Sequence, residues 1–130
     1  MDWQRILREA RSLGASDVHL SAGEVPWLRI DGKMRRWVNP HSPAHLQTLQ
    51  ARSLLELLDT LHPGRVGEQH TRKEVHIANG AELGTKERTE FAFNHLDFAV
   101  SLEGLGRFRI NAYLQARGPA MALRLIPDTL

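Results

Sequence analysis

Cysteine is absent from the 130 residues, which removes disulfides, thiolate ligands and thiol nucleophiles and is compatible with a reducing cytoplasm. No apolar run approaches the ~18 residues that a membrane-spanning helix needs. The start, Met1-Asp2-Trp3-Gln4-Arg5, lacks the basic-then-apolar pattern of a secretory signal. A cytoplasmic protein without membrane insertion is the expectation. Lysine is scarce, at 3 of the 17 basic residues, so the positive charge is almost all guanidinium. Acids are missing from Gly104 to Pro127, a stretch holding Arg107, Arg109, Arg117 and Arg124. Arginine's planar fork suits two-point contact with phosphate or carboxylate better than lysine's point charge does; an arginine-rich composition without a site behind it is the alternative. Net charge is only +2, so the molecule as a whole is no polyanion trap. The phosphate-binding loop G-x-x-x-x-G-K-[ST] is also missing. Gly80-Ala81-Glu82-Leu83-Gly84-Thr85-Lys86 imitates it with spacing short by one and Thr-Lys reversed. Without that loop these residues are not expected to hydrolyse ATP alone.

What is present suits one domain with one core: 42% of residues are hydrophobic. The organising stretch runs from Gly14 to Gly32. Asp2 can cap a first helix carrying Trp3, Ile6, Leu7, Ala10 and Leu13 at helical spacing, with Arg5, Arg8 and Arg11 on a solvated or binding face. Gly14 is placed to end it, since glycine takes the left-handed conformation without a Cβ clash. A strand through Val18 and Leu20 follows, with His19 and Ser21 on its other side and Asp17 fixing the turn before it. Trp27 to Asp31 and Lys33 to Val38 form a hairpin around Asp31-Gly32, the pair a tight turn needs. Leu28 and Ile30 share a face with Met34 opposite them.

Ser42-Pro43 reads as the start of the longest helix, with a stripe from Leu46 and Leu49 through Leu61 and an end at Pro63-Gly64. Residues 62–85 read as a long loop, with Val75 and Ile77 a weak strand signal. Thr85 is expected to cap a short helix to Asn94 with Phe91 inward. Phe98, Val100 and Leu102 alternate as a half-buried strand, Phe108 to Leu114 as a longer one, and Ala120 to Ile126 returns after Arg117-Gly118-Pro119. Residues 127–130 read as the start of a linker. The result is an α+β domain.

Three motifs, G-A-S-D-V-H-L-S-A-G, P-W-L-R-I-D-G and the run from Leu96 to Pro127 containing G-R-F-R-I-N-A and A-L-R-L-I-P, resemble the N-terminal domain of the pilus retraction (twitching-motility, PilT-like) ATPases of the secretion-ATPase superfamily. The resemblance covers residues 1–61 and 86–130; in that family the connection matching 62–85 is short. It implies a PAS-like fold: an antiparallel sheet of about six strands with helices mainly on one face, in which Gly14, Asp17, His19, Asp31 and Gly32 are structural. It further implies a single N-terminal domain over 1–130, with the ATPase domain lying outside these residues, where a phosphate-binding loop after Leu130 would settle the motor reading. The role implied is interface and regulation in a hexameric motor associated with the pilus machinery at the bacterial inner membrane. Its partners would be the C-terminal ATPase domain and neighbouring subunits, not nucleic acid. ATP and Mg would belong to the parent motor, with no cofactor or metal bound by the isolated domain. By motif, the arginines that reach the nucleotide fall on Arg109 and Arg124, with Arg107 and Arg117 as weaker candidates.

The residues support this from another side. If the last hairpin has an even loop, with 116 facing 119 and Asn111 opposite Arg124, then Arg107, Arg109, Asn111 and Arg124 share one face. Clustered guanidiniums repel unless an anion or acids neutralise them. Salt bridges to Asp97, Glu103 or Asp128 are the competing explanation, and arginines on opposite sides or both locked by carboxylates would defeat the phosphate reading. Rivals are a free-standing PAS-like sensor, with ligand in a cavity lined by Leu28, Ile30, Phe108 and Ile110, and a nucleic-acid surface of Arg29, Arg35, Arg36 and Trp37 whose affinity would fall steeply with salt. A zinc site among His41, His45, His62, His70 and His76 is weaker, as is a triad from Ser16, Asp17, His19 and Ser21.

Overall fold

A computed structural model describes residues 1–39, 47–64, 70–90 and 94–127. Asp2 caps helix α1 (Trp3–Ser12) by accepting the Arg5 amide at 3.2 Å. The helix ends as the glycine requires: at φ +72, Gly14 donates to the Arg11 carbonyl while the Ala15 amide reaches Ala10, which satisfies two orphan carbonyls. Strands β1 (Asp17–Ser21), β2 (Trp27–Ile30) and β3 (Lys33–Arg36) follow. Asp31 and Gly32 both take positive φ, 51° and 76°, in the tight turn joining β2 to β3. Met34 does not join Leu28 and Ile30. It pairs with Arg29 and is 40% exposed, because the two-residue loop puts it on the outer face.

Helix α2 (Ala51–Leu61) is shorter than expected. Ser42, Pro43 and Leu46 lie outside the described residues, but Leu49 is not helical. Its amide and carbonyl are already engaged, with Glu24 and Gly23, at 2.8 Å each, and a backbone tied to a loop cannot also enter the helical ladder. After α2, β4 (His70–Ala78) pairs with β5 (Ala81–Glu90). The expected loop over 62–85 therefore contains a ribbon, and Thr85 lies in its second strand, not at a helix cap. Asn79-Gly80 makes the turn, with φ of 52° and 74°. It is the same type of signal as Asp31-Gly32, but the alternation on either side of it is weak. Phe91 lies outside the described residues.

Strands β6 (His95–Leu102), β7 (Gly106–Gln115) and β8 (Gly118–Ile126) complete an antiparallel six-stranded sheet ordered β3-β2-β1-β8-β7-β6, with β4 and β5 forming a separate two-stranded sheet. Both helices contribute to one core: Ile6, Leu7 and Ala10 from α1 and Leu54, Leu57 and Leu58 from α2 join Val18, Leu20, Leu28, Phe108, Ile110 and Leu123. Arg11 does not point to solvent with Arg5 and Arg8 as a solvated helix face would have it; its guanidinium lies 5.3 Å from the Phe108 ring centroid. The architecture is α+β and consistent with a PAS-like domain. The cavity that a sensor would need is not formed by the named residues: Leu28, Ile30, Phe108 and Ile110 are 2%, 8%, 0% and 0% exposed within that core.

Candidate functional site: an arginine pair on the outer sheet face

Along β7, buried Phe108, Ile110 and Ala112 alternate with exposed Arg107, Arg109 and Asn111, and on β8 buried Leu123 precedes exposed Arg124. The hairpin loop is even, which meets the condition for a shared face, but it holds Ala116 and Arg117, because Gln115 pairs with Gly118. Neither loop residue has positive φ; that conformation falls on Gly118, at +123°. Two places of register change with it. Arg109, not Asn111, stands opposite Arg124, while Asn111 faces Ala122. Parity is even, so the two arginines share a face and stand directly opposite each other in the ladder.

Like charges directly across a ladder repel, and here a carboxylate flanks each. Asp97 on β6 accepts from Arg109 at two points, Nε at 3.4 Å and Nη2 at 3.2 Å. Asp17 on β1 accepts from Arg124 Nε at 3.5 Å. It also lies 3.6 Å from Arg29 and accepts the Ser16 hydroxyl at 2.7 Å. The bond from Arg109 holds the Asp97 carboxyl below its ordinary pKa, and Asp97 in turn raises that of Arg109. Both predicted arginines thus have carboxylate partners, but their side chains remain 66% and 73% exposed. The Arg109–Asp97 pair, with both partners exposed, is of the weak and readily exchanged kind. Between the two arginines lies an open hollow of about 250 Å³ lined by Asp17, Asp97, Arg109, Asn111, Ala122 and Arg124. Its floor is low at Ala122, where a methyl stands between longer side chains. A site with two forked donors and two acceptors suits an anion that can displace a carboxylate.

No protein-family model matches the chain. Its sequence is 32% identical over 129 residues to the type IV pilus retraction ATPase PilT of Pseudomonas aeruginosa, taking in 98% of this chain and 29% of PilT. The type IV pilus ATPase PilU of the same organism is 29% identical over 131 residues, taking in 100% of this chain and 27% of PilU. The chain is homologous to PilT and PilU over its whole length. The crystal structure of the pilus retraction motor PilT with bound ADP agrees with a TM-score of 0.64 at 25% identity, over 100% of this chain and 30% of that one. The Legionella pneumophila ATPase DotB shares the fold, with a TM-score of 0.55 at 19% identity over 96% of this chain and 29% of that one. The chain thus corresponds to the N-terminal region of PilT and spans about 29% of its length.

Of the weaker candidates, Arg107 is exposed one step along the same face. Arg117 is in the hairpin loop, 3.8 Å from Glu24 and away from the hollow. Gly14, Asp31 and Gly32 occupy their turns. His19 lies between Trp27 and Ala122 in the sheet, its Nε2 buried without a hydrogen-bond partner; Asp17 is engaged elsewhere, so no relay joins it to His19. Arg36 stacks on Trp27 at 5.2 Å and Trp37 donates to Glu9, which accounts for much of the basic and aromatic hairpin as packing. His62 stacks against Phe98 at 4.4 Å. His41, His45 and Asp128 lie outside the described residues, and among the described residues no cluster of three or more His, Asp or Glu could hold a metal. No helix among them is long and apolar enough to cross a membrane. Sequence reasoning missed the carboxylate role of Asp17, whose partner Arg124 is 107 residues away.

Proposed function

We propose that this domain is the N-terminal interface and regulatory domain of a hexameric pilus retraction ATPase, in which Arg109 and Arg124 reach ATP held by an ATPase domain. The observation that carries the proposal is the placement of these two residues directly opposite each other on the solvent face, beside an open hollow. Homology to PilT supplies the class of anion, since an ATPase presents phosphoryl groups. Guanidiniums aimed at such a group stabilise the charge that develops on it during transfer, an effect of about 10³–10⁵ in rate for arginine fingers. The domain would act by delivering those charges, while ATP and Mg are held by the C-terminal ATPase domain of the same chain or a neighbouring subunit. The place of action is the cytoplasmic side of the inner membrane, at the pilus machinery.

The test is ATP turnover by the full-length motor carrying Arg109→Ala or Arg124→Ala. Each is expected to lose roughly 10³-fold in turnover, and wild-type rates in both variants overturn the assignment. Residues 1–130 alone are expected to show no hydrolysis. The packed core beneath the sheet favours this reading over a free-standing sensor with ligand among Leu28, Ile30, Phe108 and Ile110.

A further inference from the structure

The two carboxylates beside the arginine pair are not equivalent. Asp17 is 14% exposed, sits on an interior strand and is fixed by Ser16, Arg29 and Arg124 together. Asp97 is 41% exposed, sits on the edge strand β6 and has Arg109 as its ion-pair partner. It reaches that partner diagonally, because its own cross-strand neighbour is Asn111, whereas Ala99 stands opposite Arg109. A phosphoryl group entering the hollow would meet both negative charges. Asp17 cannot leave without unpairing two guanidiniums and a hydroxyl, while Asp97 can swing to solvent from its exposed edge.

We propose that Asp97 is a specificity-determining placeholder: it occupies Arg109 in the resting domain and yields it to a phosphoryl oxygen of ATP, while Asp17 stays and keeps Arg124 in place. This rests on the reading of Arg109 and Arg124 as phosphate contacts. Arg109 uses the same Nε and Nη2 edge for Asp97 that a phosphate would need. The two partners are therefore exclusive, and the ligand must carry enough charge to outcompete a carboxylate. The resting pair also keeps Arg109 from repelling Arg124 when nothing is bound.

The test measures equilibrium binding of a non-hydrolysable ATP analogue to the full-length motor, alongside ATP turnover. Asp97→Asn is expected to tighten binding about two- to fivefold, the scale on which an exposed ion pair competes. Asp97→Glu, which restores the charge, is expected to bind as wild type. In an Arg109→Ala background, Asp97→Asn is expected to lose that gain, which ties the effect to Arg109; the tightening itself is what a merely structural role for Asp97 would not produce. Should Asp97→Asn itself fold poorly, Asp97→Ser carries the same expectation. Unchanged or weaker binding in these neutral variants, with Arg109→Ala still inactive, overturns the exchange and leaves the proposed function standing. Wild-type turnover and binding in Arg109→Ala overturns the exchange, and the same result in Arg124→Ala as well overturns the proposed function with it.

Discussion

On the inner side of the last hairpin, Phe108, Ile110 and Leu123 are fully buried, whereas one residue further along each strand Arg109 and Arg124 are mostly exposed. The two sets share backbones and hydrogen bonds, so their different fates come from side-chain direction alone. The inner set loses water on folding and supplies stabilisation; the outer set keeps its water and adds little to stability. A similar division separates the six-stranded sheet, which rests on both helices, from the β4–β5 ribbon, where Val75 and Ile77 are 52% and 68% exposed. Apolar side chains stabilise the fold where another layer covers them, and β-propensity alone does not supply that cover.

Substitutions can break the contrast between the faces. Phe108→Ala should destabilise the domain by about 3–5 kcal/mol in chemical denaturation, the range for emptying a buried aromatic site. A much smaller loss would mean that the inner face is not a packed core. Gly106→Ala should cost about 1–3 kcal/mol. Gly106 holds φ +105, and a Cβ there would lie 2.5 Å from the Arg11 guanidinium that covers Phe108. Ile77→Ser on the ribbon should change stability by less than about 0.5 kcal/mol, and a larger effect would show that the ribbon is covered in the assembled protein. Arg109→Ala should leave the denaturation midpoint of the domain unchanged while turnover of the motor is lost, which separates recognition from folding.

The smallest effect concerns pH. The Trp37 indole, donating to Glu9, is the main reason that the Glu9 pKa lies below its ordinary value; burial opposes it and Arg5 adds to it. A depressed carboxyl pKa contributes stability above the unfolded value, and that contribution disappears as pH falls from there through the folded value. Trp37→Phe should therefore raise the Glu9 pKa, read by NMR titration, and reduce the acid sensitivity of folding in that window. An unmoved pKa would assign the shift to Arg5 instead.

Much of the sheet was legible because period-two alternation and Asp31-Gly32 are local signals. The ribbon was less so: Asn79-Gly80 marks its turn, but the alternation around it is weak and mixed with charge. The start of α2 was misread for a different reason. Leu49 continues a leucine stripe, yet its backbone is claimed by Gly23 and Glu24, residues that no local pattern connects to it.

For the candidate site, alternation determined that Arg107 and Arg109 face away from Phe108 and Ile110, because successive side chains on a strand must point to opposite sides; the side taken by Arg124 depended on the parity of the hairpin loop. The pairing of those arginines was decided only in three dimensions. A turn placed one residue earlier than expected moved Arg109 opposite Arg124, and antiparallel pairing of the first and last strands carried Asp17 to Arg124. Periodicity is a property of the local backbone, whereas register and charge pairing depend on which strands meet and where the chain turns.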